Sequence, residues 1–432
     1  MHRDSGAFTP GCTICTLRAH GPGRWTVSDL YPAYGRSRTA KSGSGTGNAG
    51  RAVTWEEVSA RRLERQFLTR PAAPGTPVAE VVGAMLGAHA QVLSAAEVSV
   101  GVRAAGVTRA DVRAALWEDR SLVKTFGPRG TVHLLPAAEL PRWCGALTAI
   151  PTGPSPFPPG IRVTEEQAEQ IVAAIGDALD GVCLTVEELG EEVVARTGSW
   201  AGDLVMPAFQ GLWPRWRQVM HRAGQSGALC FGPNRGRKVT YTRPPSAAPA
   251  PGGTALRELV GRYLRAYGPA TPQHFAKWLA APPGWANSLF TELAGAGEIE
   301  EVAFEGAAAW VAAGDTEFPG GRVRGVRLLP YFDAYAIAAQ PRRTLFPGEA
   351  YERALAGGQA GNFPVLLVDG VVAGVWHQRR QGRRTTVTVE TVGRGLTARQ
   401  ERELGEQVER VGDVLEANAE LVIGKVTVGA HA

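Results

Sequence analysis

Along the first half of the chain, apolar positions recur three and four residues apart. Several of these runs open on a Thr with Glu, Asp or Gln three places later, the sequence signature of a helix N-terminus. Thr54 with Glu57, Thr108 with Asp111, Thr164 with Gln167 and Thr185 with Glu188 therefore predict helix starts, and Thr76-Pro77 predicts another, with Pro at the first helical position. Between them lie short β-rich stretches around tight turns. Leu122–Phe126 and Thr131–Leu135 flank Gly127-Pro128-Arg129-Gly130, and Ala228–Phe231 and Lys238–Thr242 flank Gly232–Gly236, so each pair reads as a hairpin. A helix is expected from about Trp213 to Arg222.

The same order, about three helices and then a hairpin, recurs. A third copy runs from Thr254 through Thr271 to Ala294, with strands near 298–304 and 307–312. Three helices followed by a hairpin is the pattern of a winged helix, a DNA-binding unit that also serves as a protein-interaction module. From about residue 321 the pattern turns to strands at Val323–Ala338, Pro364–Val375 and Arg384–Val392, with Asp369-Gly370 as a hairpin turn. A charged helix follows from the Thr397/Gln400 box, and a closing strand near Leu421–Val428. The fold expected is α+β: tandem winged-helix repeats followed by a C-terminal β-barrel-like domain. The boundaries expected are a disordered basic tail at 1–52, repeats at 53–150, 151–250 and 251–320, and the β-rich domain at 321–432.

Charge changes this picture by its location. The chain of 432 residues carries a net +5, but the first 51 residues hold seven basic and two acidic side chains, so the rest carries 39 of each. A DNA-binding body must then segregate its charge onto one face. Arg235, Arg237 and Lys238 form one basic run, and Arg379, Arg380, Arg383 and Arg384 another; the acidic runs at 187–192 and 298–305 would face away. Any one of these runs taken alone reads equally well as ordinary solvated surface. No apolar stretch is long enough to cross a bilayer and the start lacks a signal-peptide core, so a cytoplasmic protein with no membrane partner is expected. Five scattered cysteines argue against a disulfide framework, and Cys12-Thr-Ile-Cys15 lacks a second pair at zinc-finger spacing, so no cofactor is expected.

Five stretches, in order, resemble the AlkZ/YcaQ family of bacterial DNA glycosylases. They are Val81-Val-Gly-Ala-Met-Leu-Gly-Ala-His-Ala-Gln91, Arg129-Gly-Thr-Val-His-Leu-Leu-Pro136, Tyr267-Gly-Pro-Ala-Thr271 with Trp278-Leu279, Leu328-Leu-Pro-Tyr-Phe-Asp333, and Val368-Asp-Gly-Val-Val-Ala-Gly-Val-Trp376. The resemblance spans about residues 55–428. It implies a catalytic motif, Gln-apolar-Gln in one branch and Gln-apolar-Asp in the other, falling on residues 89–91, which here read His89-Ala90-Gln91. Gln91 matches the second position and His89 replaces the first Gln. A His-apolar-Gln variant resembles a subgroup tied to self-resistance against bulky DNA-alkylating natural products.

The resemblance implies a monofunctional glycosylase acting as a monomer on double-stranded DNA with alkylated purines. Alkylation at guanine N7 or adenine N3 makes the base cationic and a good leaving group, and cleavage leaves an oxocarbenium-like sugar. A Gln91 carbonyl can accept a hydrogen bond from water and aim it at C1′, and His89 can serve as base or hydrogen-bonding partner. A cationic His89 would repel the transition state, so it is expected to work neutral. Residues 89 and 91 are expected at the end of one helix or the start of the next. Arg129, Thr131 and His133 alternate onto one face of the first hairpin, where they line the pocket or hold phosphate; a guanidinium pinning the turn is the other reading. Asp333 either supports the site or caps a turn. Trp213, Trp216, Trp278 and Trp376 are expected in the core. The rival function is a non-catalytic winged-helix regulator, which has no need of paired polar groups at 89 and 91.

Overall fold

Thr side chains start most of the principal helices in the computed structural model, which describes residues 51–429 apart from 154, 156, 209, 210, 246, 247 and 356. Cys12, Cys15 and nearly all of the basic tail lie outside the described residues. A short strand β1 (Ala52–Val53) leads into α1 (Trp55–Arg65), capped by Thr54 with Glu57. Next come α2 (Val78–Ala84), β2 (Ala88–His89), α3 (Leu93–Gly101) and α4 (Arg109–Trp117), the last capped by Thr108 with Asp111. A hairpin of β3 (Leu122–Phe126) and β4 (Val132–Pro136) follows, and β2 pairs with β4, so the sheet order is β2-β4-β3. Helix α5 (Leu140–Thr148) closes this unit.

The second unit repeats the arrangement with α6 (Glu165–Ala178), β5 (Leu184–Thr185) and α7 (Val186–Thr197), both helices opened by their Thr boxes. The helix expected at 213–222 is replaced. Trp213 lies in a separate hairpin, β6 (Leu204–Ala208) with β7 (Gly211–Pro214), and a 3-10 turn at Arg215–Val219 leads into a short α8 (Met220–Gln225). Pro214, with extended backbone before the turn, breaks the helical run at the point where the sequence pattern suggested continuity. Strands β8 (Cys230–Arg235) and β9 (Lys238–Thr242) complete a sheet of order β5-β9-β8. The third unit has α9 (Gly252–Tyr267), which begins before Thr254, then α10 (Pro272–Leu279) and α11 (Pro283–Gly295). Its hairpin of β10 (Ile299–Phe304) and β11 (Ala307–Ala312) is extended by β1, parallel to β10.

The C-terminal sheet has the order β12-β13-β14-β15-β16, built from β12 (Val326–Leu329), β13 (Val365–Val368), β14 (Val371–Gln381), β15 (Arg384–Thr391) and β16 (Asn418–Ile423). It is a curled sheet with β12 and β16 as its edges rather than a closed barrel. Only Val326–Leu329 of the expected strand 323–338 is extended; the remainder turns at Phe332 into α12 (Ala334–Ala338), with α13 (Arg342–Leu345) and α14 (Glu349–Ala354) beyond. Asp369 and Gly370 both take positive φ, 49° and 85°, as the expected two-residue hairpin turn requires. The sheet is buried on both faces. Leu329 and Leu367 enter one core, while their neighbours Leu328 and Leu366 enter another beneath α15 (Ala398–Leu415), the period-two split of a strand.

Two features tie the C-terminal sheet to the first unit. Helix α3 has buried residues at every position from Ala95 to Gly101: Ala96 and Val100 pack in the first unit's core, Val98 against Val411 and Val414 of α15. Arg62 of α1, wholly buried, donates to the carbonyls of Gly268, Pro269 and Gln340, so three parts of the chain converge on one guanidinium.

Candidate active site

Residues 89–91 lie where a short strand meets a helix start: β2 ends at His89, and Gln91 sits at a bend two residues before α3, close to the helix start expected for it. Helix α2 stops in a turn where Leu86 and Gly87 take φ of 57° and 95°, and the Tyr267 hydroxyl donates to the Met85 carbonyl at 2.6 Å. The chain then enters β2, where His89 faces His133 across the ladder and the Ala90 amide donates to the Val132 carbonyl at 2.7 Å. Ala88 and Ala90 are fully buried in the first unit's core. Alternation therefore turns His89 away from that core, and Gln91 follows at the bend with its Oε1 buried.

The His89 ring is walled on two sides. It stacks on Phe332, with ring centroids 4.5 Å apart and planes at 29°, and meets His133 edge-on at 5.1 Å and 69°. Both histidines are buried. Burial first, then the charges of His133 and Arg129, hold His89 well below its ordinary value. Burial and Arg129 push His133 down to about 3. Both shifts favour the neutral ring at physiological pH. The His133 tautomer follows from its partner: Nδ1 lies 2.8 Å from the Thr131 carbonyl, which only accepts, so Nδ1 carries the proton and Nε2 a lone pair. Gly127 makes room for this ring, since a Cβ there would sit 2.9 Å from His133 Nδ1. His89 Nδ1 and Gln91 Oε1 are buried without a hydrogen-bond partner among the described residues. Two orphaned polar atoms two residues apart are costly to a fold and useful to a site that takes up water or substrate.

Arg129 departs from the strand alternation expected for it. It sits in a 3-10 turn, Pro128–Gly130, at φ 61°, and its guanidinium donates to the Trp278 carbonyl at 2.7 Å, pinning the turn to α10. Thr131 turns its hydroxyl back to the Pro128 carbonyl at 3.0 Å. Of the three, His133 alone presents its ring to His89.

Asp333 takes the capping role considered for it and is also tied to α3. Its side chain caps α12 through the Tyr335 amide, and its carboxylate takes a two-pronged ion pair from Arg103 at 2.7 and 2.8 Å and the Ser99 hydroxyl at 2.6 Å. All of this is buried, and it fixes the 331–333 loop to α3, the helix that starts just after Gln91.

The basic run at 235–238 is not segregated from the acidic one at 187–192. Arg235 pairs with Glu188 at 2.8 Å and Lys238 with Glu187 at 3.4 Å, against the expectation that these glutamates face away; the β5-β9-β8 sheet brings the start of α7 beside its own hairpin. Arg237 lies exposed at that hairpin's turn. Arg379, Arg380, Arg383 and Arg384 are exposed at the tip of the β14–β15 hairpin, with no ion pair among the described residues. Trp216, Trp278 and Trp376 are core residues, but Trp213 is half-exposed under the Arg217 guanidinium, 3.5 Å from its ring centre. Among the described residues no three His, Cys, Asp or Glu side chains converge as metal ligands, and no helix is long and apolar enough to cross a membrane.

This geometry coincides with a known lineage. The family model described as "DNA glycosylase AlkZ-like" matches residues 82–414, from within α2, just before residues 89–91, to the end of α15. The chain belongs to the AlkZ-like family of DNA glycosylases. It is 32% identical over 336 residues to the "Interstrand DNA cross-link repair glycosylase" of Streptomyces sahachiroi, covering 75% of this chain and 88% of that one. The solved structure of the Streptomyces sahachiroi DNA glycosylase AlkZ matches with a TM-score of 0.72 at 29% identity, over 86% of this chain and all of the other. The regulator reading is set aside by this membership, and the enzyme is a DNA glycosylase. Sequence reasoning overlooked four residues around this glycosylase's candidate site. Phe332 stood inside a stretch quoted for its resemblance, one residue before Asp333, but nothing in one dimension pairs it with His89. Arg103 and Ser99 carry no motif, and Gly127 reads only as a turn glycine.

Proposed function

We propose that this glycosylase hydrolyses the N-glycosidic bond of cationic N-alkylpurines in double-stranded DNA, N7-alkylguanine above all, with bulky or crosslinked adducts among its substrates. The observation that carries this reading is the neutral pair His89 and Gln91, two residues apart, each with a buried polar atom that has no partner among the described residues, while the nearby carboxylate of Asp333 is spent on Arg103. Such a site lacks the charge to expel an ordinary base and suffices for one already cationic. The C1′–N bond breaks with its electron pair passing to the base, which leaves neutral. Water, held by the Gln91 carbonyl oxygen, adds to C1′ and gives up a proton to His89 or to solvent. No lysine is invoked, so the enzyme is monofunctional and leaves the strand intact. The cross-link repair activity named for the Streptomyces relative supports adducts too large for a snug flipping pocket and a role in DNA repair; self-resistance to a genotoxin rests on the His-apolar-Gln resemblance.

The three helix-and-hairpin units are read as winged helices: in the first two the short strand pairs with the last strand of the hairpin, and in the third an isolated antiparallel bridge, Ala270 to Trp310, stands in that place while β1 joins β10 in parallel. Among the basic runs, the four arginines at the β14–β15 tip suit phosphate contacts better than Arg235 and Lys238, which are already paired. Arg129, Thr131 and His133 shape the pocket wall, with Arg237 a peripheral contact. The enzyme works as a monomer in the cytoplasm and needs no cofactor. The test is release of 7-methylguanine from methylated duplex DNA, followed by chromatography and mass spectrometry. Wild type releases the free base above spontaneous depurination and a His89→Ala/Gln91→Ala variant does not; equal rates for the two sink the reading.

A further inference from the structure

We infer that Phe332, contributed by the C-terminal part of the chain, is a positioning residue for His89: its stacked ring fixes the plane in which the imidazole meets the substrate. The inference rests on the catalytic role proposed for His89.

Three observations carry it. The stack is close and near-parallel, at 4.5 Å and 29°, and with His133 edge-on from β4 it leaves the imidazole only its rim. Phe332 is held for this purpose at a cost. Its φ of 55° is left-handed, unusual for a bulky residue, and such strain persists where the surroundings over-determine it. Those surroundings are specific: the Phe332 amide donates to the Gly361 carbonyl at 3.0 Å, and a Cβ at Gly361 would lie 3.1 Å from Phe332 Cδ1, so only glycine leaves the ring its place. Finally, the next residue, Asp333, is locked to Arg103 and Ser99 on α3, which begins two residues after Gln91. Ring and motif thus hang from the same helix.

A planar imidazole gains a fixed plane from such a stack; a glutamine side chain, with free rotation about three bonds, does not. Residues 89 and 332 therefore act as a pair.

The experiment is a double-mutant cycle with His89→Gln and Phe332→Leu, read by single-turnover release of 7-methylguanine. Leucine keeps most of the volume, and thermal unfolding with circular dichroism checks that each variant folds. Phe332→Leu should slow the chemical step about 10- to 100-fold in the His89 background, with substrate binding unchanged, as misplacement of a reacting group does. In the His89→Gln background it should cost about twofold or less, the limit for uncoupled sites. Equal losses in the two backgrounds overturn the inference. A second readout is independent of activity. In protein labelled with 13C at histidine, the His89 ring signal, assigned by its absence in His89→Gln, should lose its ring-current shift in Phe332→Leu. An unchanged signal also overturns the inference. If wild type releases no base while that signal still moves, the failure lies in the catalytic reading, and the stack is a packing contact alone.

Discussion

Replacing Asp333 by alanine removes one carboxylate and leaves a cation stranded. Arg103 is wholly buried, and in the intact protein the Asp333 carboxylate accepts from both of its terminal nitrogens, from Ser99 and from the Tyr335 amide. Breaking one side of a buried ion pair costs about 3–5 kcal/mol because the remaining charge keeps its desolvation penalty. Loss of the cap on α12 adds about 1 kcal/mol. Arg103→Met/Asp333→Leu removes both charges and fills the space with apolar atoms, a replacement often near neutral for a buried pair. The double variant should therefore be clearly more stable than Asp333→Ala, by about 2 kcal/mol or more on the same reasoning. Urea unfolding followed by tryptophan fluorescence measures this, with exchange of the α3 amides reporting whether the loss is local to the motif's helix. Base release should fall in Asp333→Ala as well, since the loop carrying Phe332 loses its anchor. The reasoning is refuted if Asp333→Ala costs under about 1 kcal/mol, or if the double variant is as unstable as the two singles summed.

The buried histidines set a pH dependence. His133 is pushed down to about 3 and His274 to about 4, from an ordinary value near 6.5, so the unfolded chain binds more protons over those intervals. Stability is full above about pH 6.5 and falls as pH drops, by up to about 1.4 kcal/mol per unit for each such group, and a denaturation series from pH 8 to pH 5 checks it. Because His89 is also held low, 7-methylguanine release by enzyme that stays folded should be flat from pH 8 to pH 6.5; a rate that halves across this range on a pKa near 6.5 contradicts a neutral, depressed His89. Gly127→Ala, at ordinary negative φ, pushes a methyl within 2.9 Å of His133 Nδ1; the ring must move, and a stability loss of about 1–3 kcal/mol with reduced base release should follow in denaturation and release assays. Replacing Arg379, Arg380, Arg383 and Arg384 by glutamine should weaken DNA binding alike across sequences and flatten its dependence on salt, by about 0.9 in log–log slope for each phosphate no longer neutralised, as fluorescence anisotropy would show.

What the sequence discloses here depends on how far the deciding interaction reaches along the chain. The caps at Thr54, Thr108, Thr164, Thr185 and Thr397 each bond three residues away, so the helix starts were legible. The Asp369-Gly370 turn was legible for the same reason, its conformation being demanded within two residues. Where a non-local contact decides, the pattern misled. The run after Val323 is apolar enough for a long strand, but Asp333 is claimed by Arg103, 230 residues earlier, and the chain turns at Phe332 to deliver it. Arg235 and Lys238 read as a free basic patch because their partners, Glu188 and Glu187, come to them only through the β5–β9 pairing. The same logic divides the site. His89 and Gln91 could be placed by resemblance, since the motif is contiguous. What surrounds His89 arrives from distance: neutrality from burial and His133, a stacked ring from Phe332, anchorage from Ser99 and Arg103 to Asp333. A contiguous motif thus carries the groups proposed to react, while β4 helps set the charge state of His89 and the loop of the C-terminal part supplies the ring it stacks on. A chain cut before residue 321 would keep the motif and β4 and lose that ring.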